Sequence, residues 1–378
     1  MKEELSLWDL ENRRIYIKVK KNIIRKLFNY AIKLFGTQRE LAKFLKKSNG
    51  NISNYKRKSL FIPLDVVMKI LNRLPEIQRE KFKEKISRDL EKIRHGYGTS
   101  IPIKITFPIK FSPELANIAG HLAGDGGITK VNRVFYSNKS RTLIELFKRN
   151  MRIVFGKIPY NEYREKCTQV MYPTITGVIL KFFFGEMRNE QKRVPLQILG
   201  SNSIYQSSFI RALFDDEGNV NFKKATVQIN MTNKSIIEDV KQMLLNFRIV
   251  AGKITQVKRK RIGKKDIYLF RISGREHLKL FMEKIGFDNP IKKIKLQRLV
   301  ESYKYKKVIY GKGWLTREYI INILKKEGKA TKYQIAKELN RNPTALKYHL
   351  LKLENNKIIT SRRENLMKVY SLVNKRGV

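Results

Sequence analysis

Two segments of this chain run apolar and then stop on a carboxylate followed by glycine, and few architectures accept that arrangement twice. The first reads Pro113-Glu-Leu-Ala-Asn-Ile-Ala-Gly-His-Leu-Ala-Gly-Asp125-Gly-Gly, and the second Phe209-Ile-Arg-Ala-Leu-Phe-Asp-Asp-Glu217-Gly-Asn. In the first, Ala116, Ala119, Gly120, Ala123 and Gly124 recur at helical spacing and lay a stripe without bulk along one face. Such a stripe lets a second helix come close, backbone to backbone. The second segment is less small: Ala212 keeps the pattern, while Arg211 and Asp216 depart from it. Gly126 and Gly218 are expected to end their helices in the left-handed conformation.

The two acids are placed against the electrostatics of a helix. A helix C-terminus carries about half a negative charge, so a carboxylate there is disfavoured. If the helices pack side by side, Asp125 and Glu217 also approach each other, and like charges raise one pKa unless a cation intervenes. A divalent ion between them relieves both problems, and hard oxygen donors suggest magnesium.

At these residues the chain resembles a known family. Ile118–Gly126 (IAGHLAGDG) and Ile210–Gly218 (IRALFDDEG) are similar to the two motifs of LAGLIDADG homing endonucleases. Between them Lys192-Arg-Val-Pro-Leu-Gln-Ile-Leu199 resembles the K-x-I-P-x-x-I-L block of the intein-type (DOD-type) members. Motif order, the intermediate block and the 92-residue spacing (217 − 125) agree over Phe111 to Tyr310. The resemblance implies an α+β fold with a pseudo-symmetric, duplicated αββαββα core. It implies a monomeric, site-specific endonuclease that hydrolyses double-stranded DNA with Mg2+. Asp125 and Glu217 would be the catalytic metal ligands, helped by the backbone carbonyls of Gly124 and Asp216. Lys192 would orient water or stabilise charge, and Asp215, the counterpart of the motif's first acid, would be structural.

Composition agrees with a polyanionic partner. Lys and Arg number 81 against 33 acids, a net charge of +48. A heat-adapted Lys-rich surface would carry matching Glu, which this chain lacks. A membrane surface is the lesser alternative, and no apolar run is long enough to span a bilayer. The start, MKEELSLWDLENRR, is unlike a signal peptide, and Cys167 alone cannot form an internal disulfide, which fits the cytoplasm. His95, His121, His277 and His349 are scattered and read as structural or surface residues rather than a zinc site.

Taken in order, residues 1–95 are expected to form a helix-turn-helix domain with a charged helical extension, 96–110 a linker, 111–310 the LAGLIDADG core and 311–378 a winged-helix domain. Residues 1–20 read as peripheral. A helical pattern runs through Ile23, Ile24, Leu27, Phe28, Ala31 and Leu34, and Gly36 closes it. Thr37 and Glu40 form a capping box for a second helix through Lys46. Ser48-Asn-Gly50 reads as a turn before a third helix, Asn51–Lys58, whose Asn51, Asn54 and Lys56 face outward. This resembles a phage-repressor helix-turn-helix, in which Asn reads adenine and Lys guanine in the major groove. Pro63 caps a helix Leu64–Leu74, and Glu76–Arg94 reads as one charged helix.

The core shows an internal repeat, about 111–187 and 205–288. Ser-Asn-Lys-Ser140 follows Asp125 and Thr-Asn-Lys-Ser235 follows Glu217, each after a strand and before a helix. Two more short strands and a helix complete each half. Alternation in Val227–Met231 puts Gln228 and Asn230 on a polar face. Candidate DNA contacts are Lys130, Arg133, Arg164 and Gln169 in the first half, and Lys223, Gln228, Asn230, Lys258, Arg259, Arg261 and Arg271 in the second. The basic ones suit phosphates, and Gln and Asn suit base edges.

In the last segment Thr316 is expected to cap a helix, and Thr331 and Gln334 form a capping box. A third helix, Thr344–Asn355, resembles the recognition helix of winged-helix regulators, with Thr344, Lys347 and Tyr348 toward DNA, and Lys357–Leu372 reads as a hairpin. Two other readings share these features: a transcription regulator on a catalytically silent core, and an RNA-splicing maturase. A splicing intein is disfavoured, because the sequence opens on Met and ends Lys-Arg-Gly-Val without a terminal His-Asn.

Overall fold

The computed structural model describes residues 3–10, 14–58, 60–96, 100–185, 193–258, 265–302, 313–339, 341–364 and 367–373, with backbone alone at 313–315. The chain divides into two compact units, Met1–Val300 and Glu301–Val378.

The first unit opens with β1 (Glu4–Leu5), β2 (Ile15–Val19), α1 (Lys21–Phe35), α2 (Gln38–Leu45), α3 (Asn49–Arg57), β3 (Ile62–Pro63), α4 (Leu64–Leu71), α5 (Glu76–Arg88), β4 (Leu90–His95) and β5 (Ile109–Lys110). Several expectations are corrected here. Ile15–Val19, expected to be peripheral, is not: β2 is the central strand of the sheet β3-β2-β4, with Ile15, Ile17 and Val19 buried. The charged helix ends at Arg88 rather than Arg94, because Leu90 and Ile93 are needed as buried residues of a strand beside β2. Ser48-Asn-Gly50 is the start of α3 rather than a separate turn, since the Ser48 hydroxyl accepts the Asn51 N–H at 3.1 Å. Residues 103–110, within the expected linker, are tied into the fold. Ile103 pairs with Ile93, Ile105 and Ile109 are buried, and β5 pairs with β1. Both ends of the 1–95 segment are thereby joined to residues 103–110 through strand pairing.

Then comes α6 (Pro113–Ala123), β6 (Gly126–Ile128), β7 (Val134–Asn138), α7 (Arg141–Phe155), β8 (Asn161–Arg164), β9 (Thr168–Tyr172) and α8 (Thr174–Phe184). A short α9 (Leu196–Leu199) leads to the same succession again: α10 (Ser203–Glu217), β10 (Gly218–Asn221), β11 (Thr226–Met231), α11 (Lys234–Leu245), β12 (Thr255–Val257), β13 (Ile267–Ser273) and α12 (Arg275–Lys284), closed by α13 (Pro290–Glu301). The sheets are ordered β6-β7-β9-β8 and β10-β11-β13-β12, antiparallel throughout. The fold is α+β, with an αββαββα unit present twice. In each half one sheet face packs on helices. Tyr136 of β7 stacks on Phe147 of α7 with centroids 4.7 Å apart, and Phe270 of β13 lies 6.3 Å from Phe214 of α10.

Gly126 and Gly218 do not take the left-handed conformation; Gly218 is extended at φ −85°. Closeness demands glycine there instead. A Cβ on Gly218 would stand 2.4 Å from the Phe214 carbonyl oxygen, and one on Gly126 2.8 Å from that of Phe135.

The second unit holds α14 (Gly313–Glu327), β14 (Lys329–Thr331), α15 (Lys332–Glu338), α16 (Pro343–Asn355), β15 (Ile359–Glu364) and β16 (Met367–Leu372), with sheet order β14-β16-β15. Ile320, Leu324, Ile335, Leu346, Leu350 and Leu353 form its core. The Thr331–Gln334 capping box is present. Thr316 is no cap: it is buried inside α14, which begins earlier, at Gly313.

Candidate functional site

The site is built where α6 and α10 cross. A Cβ on Gly120 would fall 2.4 Å from the Phe209 carbonyl oxygen and 2.7 Å from the Ala212 Cβ, so the helices touch through their backbones. At Gly124 the same atom would meet the Asp216 carboxylate at 2.7 Å. The small stripe thus brings the end of each helix to the other. Asp125 comes next after Gly124, the residue that caps α6, and Glu217 is the last residue of α10.

Beneath these acids lies Asp216, whose side chain is fully buried and spent on the first half. Its Oδ2 stands 3.0 Å from His121 Nδ1, and its Oδ1 accepts the Tyr136 hydroxyl at 2.7 Å and the Asn138 amide at 3.2 Å. The Asp125 backbone N–H also points at Oδ2, at 3.4 Å. Burial works against the His121 cation, but the Asp216 charge outweighs it and raises the His121 pKa. Asn138 donates to Asp125 Oδ2 as well, at 3.0 Å, so one amide ties the two carboxylates together.

Burial and the neighbouring Asp216 charge raise the Asp125 pKa. Burial, then Asp125, then Asp216, push Glu217 up to about 7. The acids of the two halves therefore sit within electrostatic reach of each other. Lys292, in the first turn of α13, answers them. Its ammonium donates to the backbone carbonyls of Asp215 and of Phe214, the latter at 3.2 Å, and burial holds its pKa down against four carboxylates. Asp215 accepts the N–H groups of Asp288 (3.0 Å) and Asn289 (2.9 Å), which fixes the start of α13 on the end of α10; burial raises its pKa to about 6.

The residues fit a magnesium ion. Glu217 is largely buried and carries no ion pair or hydrogen bond among the described residues, and Asp125 keeps one oxygen free of Asn138. Magnesium retains much of its water and takes one or two carboxylates plus substrate phosphates, so two acids suffice. The Asp216 carboxylate is already committed to its buried partners and can offer only its carbonyl. Among the described residues no group of three or more His, Cys, Asp or Glu encloses a metal by itself.

Comparison with known proteins bears on the second half. Residues 205–286 match the family described as LAGLIDADG-like domain. The chain is also similar to the glutamine–fructose-6-phosphate aminotransferase (isomerizing) of Methanocaldococcus jannaschii, 24% identical over 61% of this chain and 22% of that protein. It spans between 9% and 22% of the length of the first relatives it matches. Among solved structures, I-DmoI in complex with DNA and Ca is 20% identical, with a TM-score of 0.39 over 49% of this chain and 97% of that one. Full-length DUF199/WhiA from Thermatoga maritima is 14% identical, with a TM-score of 0.36 over 65% and 92%.

Around the duplicated αββαββα core the expected nucleic-acid residues fall into groups. Register places Gln169, Ser137, Phe135 and Met171 on the sheet face away from α7, and Arg133 reaches Met171 on that side. In the second sheet Gln228, Asn230 and Arg271 share the corresponding face, with Arg271 donating to Gln228 at 3.3 Å. Arg164 is not with them. It lies on the face of Val170 and Tyr172 and is held by Glu162 at 2.7 Å. Lys130, Lys223 and Lys258 are exposed beside the strands. Asn51, Asn54 and Lys56 lie on α3, and Thr344, Lys347 and Tyr348 are exposed on α16. Lys192, Arg259 and Arg261 lie outside the described residues.

Sequence reasoning misses three groups. His121 reads as structural or surface with no partner named; it is the structural kind, fully buried at the helix crossing against Asp216. Asn138 stands out only as part of a repeat. Lys292 follows the second half as the Lys192 block follows the first, and the duplication is the signal that points to it.

Proposed function

We propose that this protein is a metal-dependent endonuclease that cuts double-stranded DNA at a specific site, with one acid drawn from each half of the core. The observation that carries the reading is the backbone-close crossing of α6 and α10, which sets Gly124 and Asp125 of one half against Asp216, the neighbour of Glu217, in the other. Two carboxylates that burial and neighbouring negative charge make costly to ionise have a use where a cation joins them.

Asp125 and Glu217 would hold magnesium, with the Gly124 and Asp216 carbonyls beside them. The bound ion supplies an activated water and charge stabilisation for the departing 3′ oxygen. The chain does the rest. Asn138 fixes the Asp125 carboxylate, and Asp216, tied to His121 and Tyr136, fixes Asn138. The Lys292 ammonium stands where negative charge gathers, and Lys192 is a second candidate for that role. Glu217 must lose its proton to bind the ion, so cleavage should rise with pH through about 7.

The polar faces bearing Arg133 and Gln169, and Gln228, Asn230 and Arg271, would lie on the duplex, with Lys130, Lys223 and Lys258 on phosphates. Helix α3 and helix α16 would read flanking sequence. One chain supplies both halves, so a monomer suffices.

The test is a selection for cut fragments from a random duplex library, with magnesium and with EDTA. The reading predicts a recurrent cleaved sequence in magnesium only, lost in Asp125→Asn. Retained tight binding without cleavage, indifferent to that substitution, would replace the nuclease with a regulator.

A further inference from the structure

The outer side of α7 carries a feature that the paired acids do not use. Lys148, Arg149 and Arg152 fall along one stripe of the helix and, with Lys157, Tyr160 and Tyr172, line a cavity of about 430 Å3. That volume suits a small organic molecule and greatly exceeds an inorganic phosphate.

The charge in it is uncompensated. Lys148 is engaged by Glu145 at 3.0 Å and Glu162 at 3.2 Å, and Glu145 also meets Arg141 at 2.9 Å, so these four groups largely cancel. Arg149, Arg152 and Lys157 have no carboxylate partner among the described residues, and all three are exposed at the cavity. A planar guanidinium pair beside an ammonium suits a phosphate group.

The floor supplies the second observation. Tyr172 is 2% exposed, and its hydroxyl finds no hydrogen-bond partner among the described residues. Burial pushes its pKa up, so it stays protonated and can donate. A buried hydroxyl without a partner is costly, and a ligand acceptor in the cavity would satisfy it once the half-exposed Tyr160 ring beside it shifts to uncover it. The Tyr160 ring lies 5.5 Å from that of Tyr172, with Lys148 Nζ 4.9 Å from its centre. Tyr160 is half-exposed and offers an aromatic surface.

We propose that this cavity is a nucleotide site: Arg149, Arg152 and Lys157 take the phosphate, and Tyr172 and Tyr160 take the ring or sugar. Strand register puts Tyr172 on the opposite sheet face from Gln169, so the site is separate from the proposed duplex surface. The nucleotide is either free or the phosphorylated end of a strand; the chemistry is shared.

The experiment is calorimetric titration of the full chain with AMP, adenosine and inorganic phosphate, and with a trinucleotide with and without a 5′-phosphate, in salt that screens the general surface charge. AMP is expected to bind saturably with one site per chain, more tightly than adenosine or phosphate alone. Arg149→Glu with Arg152→Glu should weaken it about tenfold or more. Tyr172→Phe should weaken it about fivefold without lowering the melting temperature, because that hydroxyl supports nothing in the fold. A phosphorylated trinucleotide binding better than AMP assigns the site to strand ends, and the reverse assigns it to free nucleotides. No saturable binding, binding indifferent to the charge reversal, or phosphate binding as tightly as AMP would overturn the proposal. Asp125 and Glu217 are untouched in these variants, so the outcome is independent of whether the chain cuts DNA.

Discussion

Replacing Glu217 by Gln should make the metal-free protein more stable at alkaline pH and remove part of its pH dependence. The pKa of Glu217 rises from the usual 4.5 to about 7, first by burial and then by the Asp125 and Asp216 charges. Between those values the folded chain holds a proton that the unfolded chain has lost, so stability falls as pH rises. A tenfold change in proton affinity is worth about 1.4 kcal/mol, so the loss approaches roughly 3 kcal/mol by pH 8, less whatever solvent reaches the group. Gln is the same shape and does not titrate. Urea unfolding followed by circular dichroism at pH 5 and pH 8, in EDTA, measures the difference. The wild type should lose about 2–3 kcal/mol more than Glu217→Gln over that interval. His121 and Asp215 titrate in both proteins and cancel in the comparison. Magnesium at pH 8 should restore the wild type and leave the variant unchanged. Equal pH slopes for the two proteins would refute the claim that Glu217 is held in a carboxylate cluster.

Other perturbations probe the same geometry. Gly120→Ala places a methyl against the Phe209 carbonyl and should cost about 1–3 kcal/mol in urea unfolding, because backbone must shift to admit it. Asp216→Ala strands His121 and the Tyr136 hydroxyl and should destabilise by about 3 kcal/mol or more; Asp216→Asn should recover part of that in the same assay. Lys292→Met should lower single-turnover cleavage by about a hundredfold or more while leaving duplex affinity, read by gel shift, within a few-fold. Duplex binding should weaken steeply with salt, as the +48 charge demands, and a flat log–log plot would exclude a phosphate-contacting surface.

The duplicated core can be read from the chain because its signals are local. Small residues at helical spacing, a repeated Ser/Thr-Asn-Lys-Ser and alternating strands each reflect nearby geometry, and β11 (Thr226–Met231) begins one residue from the alternating stretch Val227–Met231. Sequence reading fails where distant residues decide. Nothing between Met1 and Lys20 shows that Ile15–Val19 will find a partner in Leu90–His95, so the two segments are misplaced together. The glycines after the acids are explained by close carbonyl oxygens rather than by their own φ, which sequence does not display. The site is half legible for the same reason. Asp125 and Glu217 stand out because carboxylates at helix ends are unfavourable. His121, Tyr136 and Asn138 become significant only when Asp216, 78 to 95 positions away along the chain, is folded against them.

The sharing of a cation by the two halves is tested most directly by titrating the protein with Mn2+ in the absence of DNA, followed by calorimetry and by the electron-spin signal of free ion. The account predicts saturable binding at pH 8 that weakens toward pH 6 and is lost in Asp125→Asn and in Glu217→Gln alike. Binding that survives either substitution would contradict it.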